Sequence, residues 1–115
     1  MSALLADVLT VTTTLPTREQ ALAIARAVVE ARLAACAQVD AHPITSVYRW
    51  QESVCEEGEW RLVLKTRPTL EAELRARVVA LHPYAVPQWI CVTAQATPDY
   101  VAWVEEVTGR PGRTS

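Results

Sequence analysis

The sequence predicts a single α+β domain over residues 1–115 of the ferredoxin-like, split βαβ type. It has a four-stranded antiparallel sheet, two main helices on one face and a short C-terminal helix. The first observation behind this prediction is the element order β-α-β-β-α-β-α, in which two helical crossovers flank a hairpin. The second is that 115 residues, 50% of them apolar, are enough for one domain with a buried core. The third is that the apolar period alternates between two and about 3.6 residues along the chain.

The first strand and the first helix are predicted from residues 8–35. Val8–Thr12 is a β-branched, apolar run that is typical of a buried strand. Thr17, with Gln20 three residues later, forms a capping box that begins a helix. We expect the apolar stripe of this helix to face the core and the helix to end near Ala35. The stripe consists of Leu22, Ala25, Val29 and Leu33.

The middle of the chain predicts a β-hairpin. Residues 44–50 alternate between two faces, and Pro43 is expected to interrupt the strand at its start. We expect a turn within residues 51–58, with glutamates at a solvated tip and a bulge at Gly58. The partner strand then covers residues 59–66.

The second half of the chain predicts a helix, a strand and a final short helix. Pro68 favours the start of the second helix, whose apolar pattern stops at His82. The stripe consists of Leu70, Leu74, Val78 and Leu81. Residues 89–96 predict the last strand, and Thr97, followed by proline, begins a short helix. We expect residues 109–115 to form a flexible tail.

Charge and composition argue against several kinds of partner. The net charge is −2 and the 11 Lys and Arg residues are scattered, which is not typical of a nucleic-acid surface or an anionic membrane surface. Residues 3–6 are too few for a signal-peptide core, and no run approaches the ~20 apolar residues of a membrane helix. The 3 cysteines are an odd number without a C-x-x-C pair, which fits a reducing compartment. We therefore expect a cytoplasmic protein.

The segment from residue 82 to residue 88 carries the most distinctive chemistry. Its two prolines fix φ and keep the residues before them out of the helical region, so His82 and Tyr84 stand on a stiff, extended connector. A helix stop that happens to contain both is the simpler interpretation, since a lone histidine is more often a structural hydrogen-bonding group than a ligand. Together with Tyr48 and Gln88, these two residues are candidates for a ligand-binding cleft.

Lys65 is the remaining cleft candidate. It lies among apolar residues near a strand end, so its ammonium group needs a partner or a path to water. The candidate partners are Glu59, Gln88 and Tyr84. A polar role in a cleft and simple exposure at the rim of the sheet are both open interpretations.

Five short motifs, in the same order along the chain, resemble the CutA family of divalent-cation tolerance proteins. They are residues 33–36 (Leu-Ala-Ala-Cys), 46–50 (Ser-Val-Tyr-Arg-Trp), 64–67 (Leu-Lys-Thr-Arg), 82–87 (His-Pro-Tyr-Ala-Val-Pro) and 100–103 (Tyr-Val-Ala-Trp). The resemblance covers about Val8 to Val107. It implies a cytoplasmic homotrimer with a ferredoxin-like subunit, an architecture related to the PII signalling proteins, and a link to copper and other divalent metals.

The sequence departs from the family pattern at positions that bear on metal binding. The family usually has glutamate where this chain has Gln88. Members proposed to bind copper have a cysteine where this chain has Thr13, and a His-His pair where it has Leu81 and His82. His82 is therefore the one candidate ligand that remains for copper or another divalent cation, and we expect no required cofactor.

Three functional classes remain open from the sequence. We favour an oligomeric binding or signalling module of the CutA type, with a divalent metal or a small molecule as its ligand. A direct copper-binding protein is the alternative. A small hydrolase on an acylphosphatase-like fold is less favoured, because residues 13–16 supply no glycine or arginine for an anion-binding loop. No nucleophile has an identifiable activating partner, so we predict that the protein is not an enzyme.

The hairpin predicts self-association. Tyr48 and Trp50 share one face of its first strand, and we expect Trp60 to lie across from them. In a monomer these side chains and a bare strand edge would face water, and proteins normally cover such features. The sequence itself argues for an interface between copies, and the resemblance implies that three copies assemble.

Overall fold

The structure is a computed structural model that describes residues 4–109. The predicted tail from residue 110 onward lies outside the described residues. The described part forms five strands and three helices, and a 3-10 turn at Pro68–Leu70 leads into the second helix. In chain order they are β1 (Ala6–Leu15), α1 (Arg18–Glu30), β2 (Cys36–Val39), β3 (Ile44–Trp50), β4 (Ser53–Thr66), α2 (Glu71–Leu81), β5 (Ile90–Ala96) and α3 (Pro98–Val107).

The strands form one antiparallel sheet in the order β2-β4-β1-β5, and β3 pairs with the part of β4 that extends beyond β2. The predicted ferredoxin-like class is confirmed, but the sheet has five strands instead of the four expected. The extra strand arises because residues 40–43, which end in proline, leave the ladder between the pairs Val39–Leu62 and Ile44–Glu59. Asp40 fills this break by accepting hydrogen bonds from the backbone N–H and the Nε of Arg61.

Helices α1 and α2 cover one face of the sheet, and α3 covers part of the other. The main core contains Val11, Leu15, Ala21, Ile24, Val28, Leu62, Leu64, Leu74 and Val78, all at most 3% exposed. Val8 points to the opposite face, because neighbouring strand residues alternate, and there it packs with Val101 and Val104 of α3. Much of this second face has no helix over it: Ile90 and Val92 of β5 are each 54% exposed.

Helix α1 confirms the predicted start but not the predicted stripe or end. The side chain of Thr17 caps the helix by accepting from the N–H of Gln20. The buried residues are Ala21, Ile24, Ala25 and Val28. The predicted stripe was therefore wrong at Val29, which is exposed, and the helix ends at Glu30 because Arg32 takes a left-handed φ of 61°. The helix is apolar on two adjacent stripes, so the sequence pattern alone did not determine which one faces the sheet.

The hairpin of β3 and β4 is longer and tighter than predicted. Its turn consists of residues 51–52, since Trp50 pairs with Ser53, and Gln51 has a positive φ of 56°. The turn lies within the predicted residues and the three glutamates are exposed, but only Glu52 is at the tip. Glu56, Glu57 and Gly58 lie inside β4 and pair in register with β3, so the predicted longer tip and the bulge at Gly58 were wrong. Charged residues are tolerated here because much of this part of the hairpin faces solvent.

The hairpin projects from the body of the molecule. The principal dimensions are 53 × 32 × 24 Å, and the radius of gyration is 15.6 Å, whereas a compact chain of this length has about 13 Å. Trp60 lies at the base of the hairpin, where it pairs with Leu15 of β1. The prediction that it lies opposite Tyr48 and Trp50 was wrong, because these residues pair with Cys55 and Ser53. Among residues 4–109 no helix is both long and apolar enough to span a bilayer.

Candidate functional site

The connector between α2 and β5 lies against the hairpin and forms a cleft with it. Helix α2 ends at Leu81, and the backbone of His82 is already extended, as the proline that follows it requires. The cleft encloses about 620 Å³, which lies within the usual range for small-molecule sites. Its lining consists of Thr14, Ser46, Val47, Tyr48, Trp50, Glu59, Pro83, Tyr84, Ala85, Val86 and Gln88.

His82 fixes the connector to the end of β1. Strand β5 pairs with β1 only as far as Thr12, so the Thr14 carbonyl is available to another donor. The Nδ1 of His82 accepts the N–H of Tyr84 at 3.2 Å, which places the ring proton on Nε2. Nε2 then donates to the Thr14 carbonyl at 3.0 Å and lies 3.2 Å from the hydroxyl of Thr13. Both ring nitrogens are therefore engaged in hydrogen bonds.

Burial is the main influence on the charge of His82. The side chain is 9% exposed, and this desolvation lowers its pKa, against smaller opposing effects from the Thr14 carbonyl and the charge of Glu59. His82 is therefore a neutral imidazole at neutral pH. It supports the wall of the cleft from behind and is not part of the lining.

Two tyrosine–glutamate pairs define the polar chemistry of the cleft. The hydroxyl of Tyr84 donates to Oε2 of Glu59 at 2.7 Å, and the hydroxyl of Tyr48 donates to Oε1 of Glu57. Burial, followed by the bond to Glu59, raises the pKa of Tyr84. The bond to Glu57 is the main reason that the pKa of Tyr48 rises to about 12. Both phenols therefore stay protonated at neutral pH.

The strand pairing explains why these groups meet. Ile44 pairs with Glu59, so the alternate residues Ser46, Tyr48 and Trp50 of β3 share a face with Glu59. Tyr48 and Trp50 remain 38% and 47% exposed. Of the predicted cleft residues, Tyr48, Tyr84 and Gln88 line the cleft, while His82 stands behind it.

Lys65 lies elsewhere. It pairs with Thr10 of β1 and Cys36 of β2, and its Nζ donates to Oε1 of Gln38. None of the three predicted partners contacts it, because the register of β2 against β4 brings Gln38 beside it instead. Trp60, proposed as an interface residue, is half-buried, and its indole N–H is buried without a hydrogen-bond partner among the described residues.

Glu59 is the site residue that the sequence prediction undervalued. It is 9% exposed and lines the cleft. In the sequence it appears only as a possible partner of Lys65 at the start of a strand. A glutamate at the start of the strand that contributes Leu62 and Leu64 to the core was the available signal, because a charged group near the core needs partners.

The donor set does not fit a copper site. Within residues 4–109 no group of three or more His, Cys, Asp and Glu side chains is placed to hold a metal. At the other two positions proposed for copper ligands, the hydroxyl of Thr13 is within hydrogen-bond distance of His82, and Leu81 is an apolar residue, 47% exposed, at the end of α2. Because both nitrogens of His82 are engaged, its ring has no free lone pair for a metal unless the connector detaches.

Comparisons with known proteins identify a consistent set of relatives. The family model for the CutA1 divalent ion tolerance protein matches residues 9–107. The divalent-cation tolerance protein CutA of Thermus thermophilus is 43% identical over 97 residues, covering 84% of this chain and 93% of that protein. The mouse Protein CutA is 41% identical over 96 residues, and the chain spans 54% of its length. The structure of the periplasmic divalent cation tolerance protein CutA from Archaeoglobus fulgidus superposes with a TM-score of 0.84 at 28% identity, covering 89% of this chain and 99% of that one.

Proposed function

The chain belongs to the CutA1 divalent ion tolerance family, and we propose that it works as an oligomeric binding module whose ligand occupies the cleft between the hairpin and the connector. The observation that carries this proposal is the cleft itself, which has the size of a small-molecule site and is lined by aromatic side chains with a few polar groups. Both walls are held in place: His82 ties the connector to β1, and Tyr84 ties it to Glu59.

A cleft-filling variant tests this function. Ser46→Tyr places a ring inside the cleft, whereas Thr45→Tyr adds the same ring to the opposite face of β3. Ligand-observed NMR with a small-molecule fraction of cell extract should detect bound species with the unmodified chain and with Thr45→Tyr, but not with Ser46→Tyr. Equal binding by both variants would place the site elsewhere.

For the metal response of the family, an indirect link is the interpretation we favour over direct copper binding. The engaged ring nitrogens of His82, together with Thr13 and Leu81 at the other proposed ligand positions, support this choice. Calorimetric titration of the protein with Cu(II) should show no stoichiometric submicromolar site. Such a site, if lost in His82→Ala, would establish the direct alternative.

The absence of catalysis is also part of the proposal. The two tyrosine hydroxyls described in the cleft are poor nucleophiles, because the pKa of each is raised and the phenolate form is therefore disfavoured. Acyl-phosphate and aryl-ester substrates should therefore show no turnover. Turnover that disappears in a folded Tyr84→Phe variant would instead identify a hydrolase, the least favoured class.

We further propose a homotrimer in the cytoplasm, with a PII-like arrangement of ferredoxin-like subunits. Self-association is supported by the exposed residues Ile90 and Val92 and by the edge of β4 over residues 53–59, which no described strand covers on its β1 side. Tyr48 and Trp50 are interface candidates near that edge, and Trp60 is a candidate at its base. A cytoplasmic location is supported by three free cysteines, although the A. fulgidus relative is described as periplasmic.

A further inference from the structure

The cleft contains a buried carboxylate without a cationic partner. Glu59 is 9% exposed, and its one described partner is the neutral hydroxyl of Tyr84. Arg61 forms its ion pair with Asp40 and Arg75 forms its ion pair with Glu71, so these two pairs do not involve Glu59. A carboxylate removed from water without a nearby positive charge is costly. A cationic ligand would offset that cost.

The walls around Glu59 are aromatic. Tyr48, Trp50 and Tyr84 all line the same cleft, and the faces of such rings attract cations through their quadrupoles. Each tyrosine hydroxyl already donates a hydrogen bond to a glutamate, so neither is free to donate one to an anionic ligand. The cleft lining thus combines the carboxylate of Glu59 with electron-rich ring faces, and the carboxylate of Glu57 lies at its border, bonded to Tyr48.

Anionic ligands do not fit this arrangement. Of the described residues that line the cleft, Glu59 is charged, and none is lysine or arginine. A phosphate or nucleotide would find no positive side chain to bind it and a carboxylate to repel it.

A bare divalent metal ion is also a poor match. Calcium and magnesium need several oxygen ligands around one point, and the cleft lining supplies one carboxylate. Copper and zinc favour imidazole and thiolate ligands, and none of the described residues that line the cleft is a histidine. No cysteine is among the described residues of the lining either, and the raised pKa values of both tyrosines keep their hydroxyls protonated.

We propose that the cleft binds an organic cation, a primary or quaternary alkylammonium group that sits beside Glu59 and against the rings of Tyr48 and Tyr84. This inference rests on the proposed function of the cleft and names the chemical class of its ligand. The ammonium charge compensates Glu59, and the alkyl part of the ligand packs along the groove toward Trp50 and Val86.

A pair of isosteric probes tests the inference on the unmodified chain. Choline and 3,3-dimethylbutan-1-ol have the same shape, but the alcohol has a neutral carbon in place of the cationic nitrogen. Binding of each is followed by protein NMR titration in phosphate buffer, since amine buffers would compete. Choline should bind at least about tenfold more tightly than the alcohol, which corresponds to about 1.4 kcal/mol.

Two matched variants assign the charge that is responsible. Glu59→Gln keeps an acceptor for the hydroxyl of Tyr84 but removes the charge, so choline should bind about tenfold more weakly while the alcohol is unaffected. Glu56→Gln removes a charge three residues away on the opposite face of β4 and should leave choline binding unchanged. Circular dichroism confirms that both variants fold.

The outcomes separate the inference from the function on which it rests. ATP serves as an anionic probe in the same titration. If the alcohol or ATP binds more tightly than choline, with chemical-shift changes at cleft residues, the cation assignment is overturned but the cleft remains a binding site. Unchanged choline affinity in Glu59→Gln also overturns it. If no probe perturbs the cleft and Ser46→Tyr changes no ligand signal from cell extract, both the inference and the proposed function fail.

Discussion

The imidazole of His82 has a structural role: its hydrogen bonds hold the connector against β1. It closes a gap in the sheet by donating to the Thr14 carbonyl, which β5 does not reach. It also accepts from the backbone of Tyr84 and so fixes the ring that holds Glu59. The hydrogen bonds that would have to break for metal binding or proton transfer are the same ones that shape the cleft.

The lowered pKa of His82 predicts a pH dependence of stability. Since the folded state disfavours protonation, the unfolded state binds more protons once the pH falls below the ordinary value of 6.5. The free energy of unfolding should therefore decrease as the pH falls from about 7 to about 5. Urea denaturation at a fixed protein concentration measures this change.

The variant His82→Gln isolates the contribution of His82 to the pH dependence of the free energy of unfolding. It should flatten the pH dependence between pH 7 and pH 5, whereas His42→Gln, at an exposed position, should retain the slope of the unmodified chain. Asp40 and Glu71 have lowered pKa values because of their bonds to Arg61 and Arg75, and they act at lower pH. An identical slope in both histidine variants would rule out His82 as the source.

At the scale of elements, the hairpin is determined by its turn as much as by its strands. A two-residue turn requires unusual backbone angles, and Gln51 supplies a φ of 56° without being glycine. This conformation brings the side chain close to its own backbone, at a cost of roughly 1–2 kcal/mol. The register set by that turn places Tyr48, Trp50 and Glu59 on one face.

Gln51→Gly should stabilise the protein. Glycine adopts the positive φ without strain, and after its greater entropy in the unfolded state is subtracted we expect a gain of about 0.5–1 kcal/mol. Glu52→Gly, next along the same turn, should give no gain because Glu52 does not have a positive φ. Chemical denaturation compares the two; a loss of stability in Gln51→Gly would contradict this account of the turn.

The whole molecule is elongated because β3 and the first half of β4 extend beyond the other strands. A single copy leaves aromatic residues of the hairpin and part of the second sheet face in water, as the exposures of Trp50, Ile90 and Val92 show. Surfaces of this kind are typical of interfaces between subunits. The proposed trimer would use the projecting hairpin to reach a neighbouring copy.

Trp50→Arg tests the assembly. Light scattering after size exclusion should give the unmodified chain a mass of about 38 kDa, which corresponds to three chains of 12.7 kDa. Trp50→Arg should dissociate it or unfold it, because a charge replaces a large apolar side chain, while Arg49→Ala on the opposite face of β3 should leave it intact. A well-folded 12.7 kDa monomer of the unmodified chain would refute the proposal.

Much of the fold and part of the site could be predicted from the sequence. Apolar spacing and capping residues predicted the three helices, all strands except the short β2, the N-cap at Thr17 and the end of α2 before His82. The alternation of β3 placed Tyr48 and Trp50 on one face, and the prolines predicted the stiff connector. These features depend on interactions within a few residues of the chain, so their signals are present in any short window of sequence.

Only the tertiary structure decided which distant segments meet. The buried stripe of α1, the register of β3 against β4 and the pairing of Lys65 with Gln38 each depend on packing between separate elements. The contacts of His82 with Thr13 and Thr14 join residues 69 and 68 positions apart. No local pattern encodes such a meeting, because many alternative pairings satisfy the same apolar periodicity, and the choice among them is made by the packing of the whole domain.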